Sequence, residues 1–244
     1  MNSGENSALN TILIERRFCG PPESGHGGYV AGYLAENIDG PARVRLLKPP
    51  PLEAPMEIVK TDEGVDLLYQ GEVYARAWPS DFEADAPIAP SLEEARAMSR
   101  NFGGFHGHAF PTCFGCGPDR DEGNGMRIFA GSASDSNLVA APWKPDRSLG
   151  DEHDRVFPRF IWSALDCAGA WSFMPSTGTP ALLGEFSVRI DSPAYTTGEY
   201  IVVGWEIKRE GRKHLTGTAI YTAEGELLAV SRATWFDIDL EYLR

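Results

Sequence analysis

Two stretches of this chain carry residue types that could do chemistry together. The first is Ser24-Gly25-His26-Gly27-Gly28-Tyr29, a loop that turns into a helix. Unpaired N–H groups at a helix start, reinforced by the helix dipole, form a site for an anion or a polarised carbonyl. Gly27 and Gly28 let a substrate reach that backbone, or serve close packing. His26 stands at the mouth, and histidine is the usual acid or base near neutral pH. The second stretch is Phe160 to Trp171, a helix that is apolar almost all round and therefore expected to be buried. It carries one carboxylate, Asp166. A buried unpaired charge is costly, so Asp166 needs either structural partners or a function. As a functional group it would be a general base on water, or a nucleophile giving a transient anhydride. Ser163 shares its face one turn earlier, although a helix-interior hydroxyl also bonds the backbone carbonyl of the preceding turn. Glu36, near the end of the first helix, reads as solvated.

A third cluster is Cys113-x-x-Cys116 with His106 and His108 nearby. These are the donors of a Cys2His2 zinc site, but the pairs are tightly spaced and a single C-x-x-C is equally a glycine-rich loop with free thiols. We expect no metal there. A redox motif would open a helix in a βαβ unit, and this one does not. With Cys19 and Cys167 the chain has 4 cysteines, too few for a disulfide scaffold in 244 residues.

The elements that position these groups follow from periodicity. Val30, Leu34 and Ile38 form one apolar stripe, and Gly28, Ala31, Gly32 and Ala35 a small-residue face beside it, so a helix is expected over 27–38 with a close neighbour. A second is expected over 158–174, opened by Pro158 and stopped by Pro175. Short strands are expected at 11–19, 42–47, 56–61, 64–70, 72–78, 126–131, 137–143, 181–190, 199–209, 213–222 and 226–238. Ser80 to Pro90 reads as a polar linker, and Ser91-Leu92-Glu93-Glu94 as a capping box. Each half thus runs strand, helix, four strands, and Val44-Arg45-Leu46-Leu47-Lys48-Pro49 is echoed by Val188-Arg189-Ile190-Asp191-Ser192-Pro193. We read an internal duplication: 1–85 as the first unit, 86–125 as a linker with a short helix and a Cys/His/Gly-rich loop, and 126–244 as the second unit. The net charge of −13 argues against nucleic acid, anionic membranes and an acidic carrier protein. No transmembrane run or leader at Met1 to Asn10 is seen, so a soluble cytoplasmic protein is expected.

A duplicated strand–helix–strands unit resembles the double hotdog fold of acyl-CoA thioesterases, an α+β fold with two antiparallel sheets each wrapping one long helix. His26-Gly27-Gly28 resembles the His-Gly-Gly helix start of the phenylacetyl-CoA-type thioesterases, and Cys113-Phe114-Gly115-Cys116-Gly117-Pro118-Asp119 with Met126-Arg127-Ile128 resembles the segment before their first strand. The resemblance implies a thioester hydrolase with its site between the two helices, one supplying N–H groups to the thioester carbonyl and the other a carboxylate nine residues after the histidine position. In the first half that position is Ala35. In the second it is Asp166, counted from Phe157, whose Phe157-Pro158-Arg159 lacks His-Gly-Gly. One composite site per chain is therefore implied, with Asp166, His26 and Gly28 catalytic and Gly27, Tyr29, Trp162 and Ser163 binding substrate. The family's Ser/Thr and Gln partners find no match; Thr234 falls near the glutamine position. No cofactor is implied beyond coenzyme A as part of the substrate, with Arg45, Lys48 and Arg189 as candidates for its phosphates. There is room for a homodimer of double hotdogs. Competing readings are a hotdog enoyl-CoA hydratase or dehydratase using His26 and Asp166, and a non-catalytic acyl-CoA-binding protein.

Overall fold

The computed structural model describes residues 8–133, 138–239 and 241. Most of the leader reading at Met1 to Asn10 lies outside them. The first half contains β1 (Ala8–Leu13), α1 (Gly27–Ala35), β2 (Ala42–Leu46), β3 (Pro55–Lys60), β4 (Val65–Tyr69) and β5 (Glu72–Pro79). Next comes α2 (Leu92–Ser99). The second half contains β6 (Gly131–Ser132), β7 (Leu138–Trp143), α3 (Pro158–Trp171), α4 (Met174–Thr177), β8 (Ala181–Ile190), β9 (Tyr200–Glu210), β10 (Lys213–Thr222) and β11 (Leu227–Asp237). Among the described residues no helix is long and apolar enough to cross a membrane.

The strands pair in the order β1-β3-β4-β5-β2-β8-β11-β10-β9-β7-β6, antiparallel throughout. The order β1-β3-β4-β5-β2 in the first half recurs as β7-β9-β10-β11-β8 in the second. The expectation of two sheets, each wrapping its own helix, gives way to one continuous 11-stranded sheet. The reason is the seam: β2 and β8 would each leave an edge of unpaired backbone groups, and instead they pair, Ala42 opposite Val188 and Arg45 opposite Glu185. Arg45 and Glu185 bond across it at 2.6 Å. Their exposure limits that pair to at most about 1 kcal/mol, so the ladder holds the seam.

α1 packs on β2, β4, β5 and β8, and α3 on β7 to β11. The helices touch each other through the small face of α1. A Cβ on Gly32 would sit 2.6 Å from the Arg159 Cα, so only glycine permits this approach. One apolar core runs through both halves, from Ile12 and Ile58 to Phe186 and Trp235. The second half of the sheet is covered on both faces. Tyr200 and Val202 of β9 face the main core, while Ile201 and Val203 face a smaller cluster. Alternate side chains of a strand point to opposite faces, and burial of both gives the unbroken apolar run.

Several boundaries differ from expectation for local reasons. Phe82, Ala84, Ala86 and Ala89, in the stretch read as a polar linker, pack on that smaller cluster beside α2. The capping box at Ser91 and Glu94 is formed. β1 ends at Leu13 and a 3-10 turn takes Arg16–Phe18. Over 126–131 only Gly131 joins a ladder; the preceding residues bond a loop instead, Met126 N–H to Phe114 O at 2.8 Å and Ile128 N–H to Gly115 O at 3.0 Å. α3 stops at Trp171, and Pro175 sits in the first turn of α4, where its missing N–H costs nothing.

Candidate active site

The site is built where the start of α1 meets the middle of α3. His26 is the N-cap of α1, and its Nδ1 accepts the Tyr29 N–H at 3.3 Å. The Gly28 N–H donates to Asp166 Oδ2 at 2.6 Å, and His26 Nε2 lies 3.3 Å from the same oxygen. A Cβ on Gly28 would sit 2.7 Å from the Asp166 Cβ and from the Trp162 carbonyl oxygen. Glycine at this position is therefore what lets the carboxylate reach the helix start. Asp166 Oδ1 is buried and has no hydrogen-bond partner in the protein.

The electrostatics follow from this burial. Asp166 is 3 % exposed. Burial pushes its carboxyl up to about 6, although His26 and the Gly28 amide pull the other way. Burial also presses His26 down, but Asp166 and Cys113 outweigh it and hold the imidazole above its ordinary value. Nδ1 must keep its lone pair to cap the helix, so the neutral ring carries its proton on Nε2, aimed at Asp166. We favour that tautomer because the cap would be broken by a proton on Nδ1.

A cavity of about 710 Å3 opens beside these groups, lined among others by His26, Gly27, Asp166, Cys167, Trp171 and Trp235. It has the size of a small-molecule site. Gly28 is outside the lining and its N–H is spent on Asp166. The amide open to a ligand by position is that of Gly27, the first residue of α1, which has no intrahelical partner. The other expected substrate contacts are elsewhere. Tyr29 stacks on Phe18 at 4.3 Å, Trp162 packs edge-on to Phe186, and neither lines this cavity. The Ser163 hydroxyl donates to the Arg159 carbonyl at 2.8 Å, the back-bond of a helix interior. His106 is exposed. Of the basic residues singled out, Lys48 lines the cavity, paired with Glu72 at 2.9 Å, while Arg45 and Arg189, paired with Glu185 and Asp191, do not line it. Arg212, which the sequence did not single out, also lines it.

The start of α3 shows the other half of the pattern. The Arg159 N–H, second in α3 as Gly28 is second in α1, donates to Glu36 Oε1 at 3.2 Å, and its guanidinium holds both Glu36 oxygens at 3.0 and 3.1 Å. Glu36 is exposed, as expected, and is also a partner of the second helix start. Two residues that sequence reasoning did not place at the site are Cys113 and Cys167. Their sulfurs and one His26 ring nitrogen lie within 4.8 Å of one another. Cys167 follows Asp166 in the chain, and that adjacency was the available signal.

No family profile matches this chain. No curated protein matches it. Solved structures do match at full length. A candidate thioesterase from Novosphingobium aromaticivorans superposes with a TM-score of 0.65 at 11% identity, covering 96% of this chain and 97% of that one. A protein of unknown function from Alicyclobacillus acidocaldarius, described as having a hot dog fold, gives 0.59 at 14% identity over 94% and 92%. The fold is a hotdog fold. Acyl-CoA thioesterase II TesB2 from Mycobacterium marinum gives 0.59 at 13% identity over 96% of each chain. At such identities the likeness establishes the hotdog architecture, and the chemistry must be argued from the residues.

Proposed function

We propose that this protein is a thioesterase that hydrolyses an acyl-CoA thioester at a single composite site between α1 and α3. One observation carries the reading: a buried carboxylate from one helix, with one oxygen tied to the start of the other helix and the second oxygen without a protein partner, beside a ligand-sized cavity. The Gly27 N–H would take the thioester carbonyl oxygen, where the helix start favours the developing negative charge. Asp166 Oδ1 would take a proton from the attacking water, with Oδ2 held by Gly28 and His26 so that the carboxylate cannot swing. His26 caps the helix and orients Asp166. Lys48 and Arg212 at the cavity are the candidate contacts for coenzyme A phosphates.

The reading of one site, not two, rests on the second helix start: Phe157 offers no side-chain cap, and Arg159 and Glu36 fill each other's valences there. The repeated strand order supports taking 1–85 and 126–244 as two copies of one unit. The 3.3 Å approach of His26 to Asp166 also suits a hydratase or dehydratase. An assay of free coenzyme A release across saturated and 2,3-unsaturated acyl-CoA esters separates the two. Release of the thiol from both ester types supports hydrolysis. Hydration of the unsaturated ester without thiol release contradicts it, and tight ester binding without turnover leaves a binding protein.

A further inference from the structure

The cavity floor holds a set of sulfur atoms that the reaction above does not use. Cys113, Cys116 and Cys167 all line it, together with His26 and His108. The hydrogen bonds among them have a direction. His26 Nδ1 is occupied by the Tyr29 N–H, so Nε2 carries the proton and donates to Cys167 Sγ at 3.3 Å as well as to Asp166. His108 repeats the arrangement: Nδ1 accepts the Phe110 N–H at 2.9 Å, so Nε2–H donates to Cys116 Sγ at 3.2 Å. Trp171 Nε1–H also donates to Cys116 Sγ, at 3.3 Å. Cys167 and Cys116 therefore already accept N–H groups, and Cys167 turns its own S–H bond onward. Cys113, whose sulfur is 3.7 Å from that of Cys167, is the acceptor at which the chain from His26 through Cys167 ends. That is the arrangement of a thiolate. Its thiol neighbours Cys116, then Cys167, hold Cys113 well below its ordinary thiol value, while burial chiefly pushes Cys116 up and the neighbouring thiols Cys113 and Cys116 push Cys167 up. A metal ion on His26, Cys113 and Cys167 would need a lone pair on Nε2, and the helix cap denies it.

We infer that Cys113 is a nucleophile that takes the acyl group, so that the hydrolysis proposed above runs through an acyl-cysteine held in the cavity. This rests on the thioesterase reading. In the first step the Cys113 thiolate adds to the thioester carbonyl, the bond from carbonyl carbon to the coenzyme A sulfur breaks, and the coenzyme A thiolate leaves. One thiolate replaces another, so no proton is needed until the leaving group meets solvent. In the second step Asp166 takes a proton from water, the water oxygen adds to the acyl-cysteine carbonyl, and the bond to Cys113 breaks with return of the thiolate. The acid gives its remaining proton to solvent and leaves as its carboxylate, and Asp166 releases the other; one of the two protons is taken up by the coenzyme A thiolate. The first step does not make the acyl group more reactive; it fixes it beside the base. It also removes the negative charge on Cys113, one of the causes that raise Asp166, and so frees the carboxylate for the step that uses it. Gly115 keeps the loop close: a Cβ there would lie 2.7 Å from Cys167 Sγ and 2.8 Å from His26 Nε2.

The test is trapping. Asp166→Asn removes the base of the second step and leaves Cys113 in place. The full-length variant is mixed with butyryl-CoA or phenylacetyl-CoA, quenched in acid, and mapped by peptide mass spectrometry; release of coenzyme A by the wild type is measured in parallel. The expected result is wild-type turnover together with accumulation of the acyl group on the Cys113 peptide of the variant, lost in Asp166→Asn/Cys113→Ala. Wild-type turnover with no adduct in Asp166→Asn overturns the acyl-cysteine and leaves direct attack by water. An adduct on Cys116 or Cys167 overturns the assignment to Cys113. A wild type that releases no coenzyme A from any ester of the panel overturns the thioesterase reading itself, and the inference with it.

Discussion

Replacing Asp166 by Asn should make the folded protein more stable at pH 8 and not at pH 4. Asp166 is raised from 3.8 to about 6 because burial penalises its charge. A carboxyl raised in the folded state favours folding only while it is protonated. Its contribution is complete below about pH 3.8 and is lost as the pH rises through about 6. Above that the folded state carries the whole penalty. A shift of about 2 pH units at about 1.4 kcal/mol each is about 3 kcal/mol. Asn has nearly the same shape and can still accept the Gly28 N–H and the His26 Nε2–H through its Oδ1. Its amide group falls where Oδ1 of Asp166 has no protein partner. The penalty is therefore removed with little else changed. For a chain of 244 residues about 3 kcal/mol corresponds to a rise in Tm of about 6–12 °C. Thermal unfolding of both proteins from pH 4 to pH 8 reads this directly. The two melting temperatures should converge toward pH 4 and separate through pH 6. An Asn variant that is less stable than the wild type at pH 8, or offset equally at every pH, would refute the view that Asp166 is held charged against its environment.

The catalytic limb of the same carboxyl runs the other way: wild-type kcat/KM for an acyl-CoA ester should climb as pH rises through about 6, since only the ionised form accepts a proton. A flat profile from pH 5 to pH 7.5 would contradict it. Gly28→Val places a side chain where even a Cβ is 2.7 Å from Asp166 and the Trp162 carbonyl; displacing the carboxylate by about 1 Å should cost about 10²-fold in turnover, and overpacking about 1–3 kcal/mol of stability. Turnover within twofold of wild type would count against the helix contact. Ala35→Asp should create no second site, because Arg159 and Glu36 occupy that helix start, and active-site titration should still find one site per chain. Elemental analysis should find no bound zinc; one zinc per chain, lost on Cys113→Ser, would overturn the assignment of Nε2–H tautomers to His26 and His108.

Much of this was legible in the sequence for a physical reason. Asp166 stood out because a helix apolar on every side cannot carry a carboxylate without partners. The small face of α1 announced a close neighbour, and Gly28 and Gly32 do meet α3. Strands β8 and β10 were bounded to the residue because their apolar runs end at clear turns. What was missed depended on three-dimensional pairing. The joining of β2 to β8 leaves no mark in either strand, since an edge and a central strand bury the same face. The pattern over 126–131 signals burial, and burial against a loop looks the same as burial in a sheet. Tyr29 and Trp162 sit on the right helices, but one turn of a helix faces several ways, and their rings went to the core. Cys113 read as a free thiol in a glycine-rich loop because its partners, Cys167 and His26, come from distant parts of the chain.

The central claim is that Asp166, placed by α3 against the start of α1, drives hydrolysis of a thioester. Steady-state release of free coenzyme A from a panel of acyl-CoA esters, wild type against Asp166→Asn at pH 7.5, tests it most directly. The account predicts that the variant melts at or above the wild-type temperature while its kcat falls by about 10²–10⁴-fold. A folded Asp166→Asn protein that releases coenzyme A at the wild-type rate would contradict it.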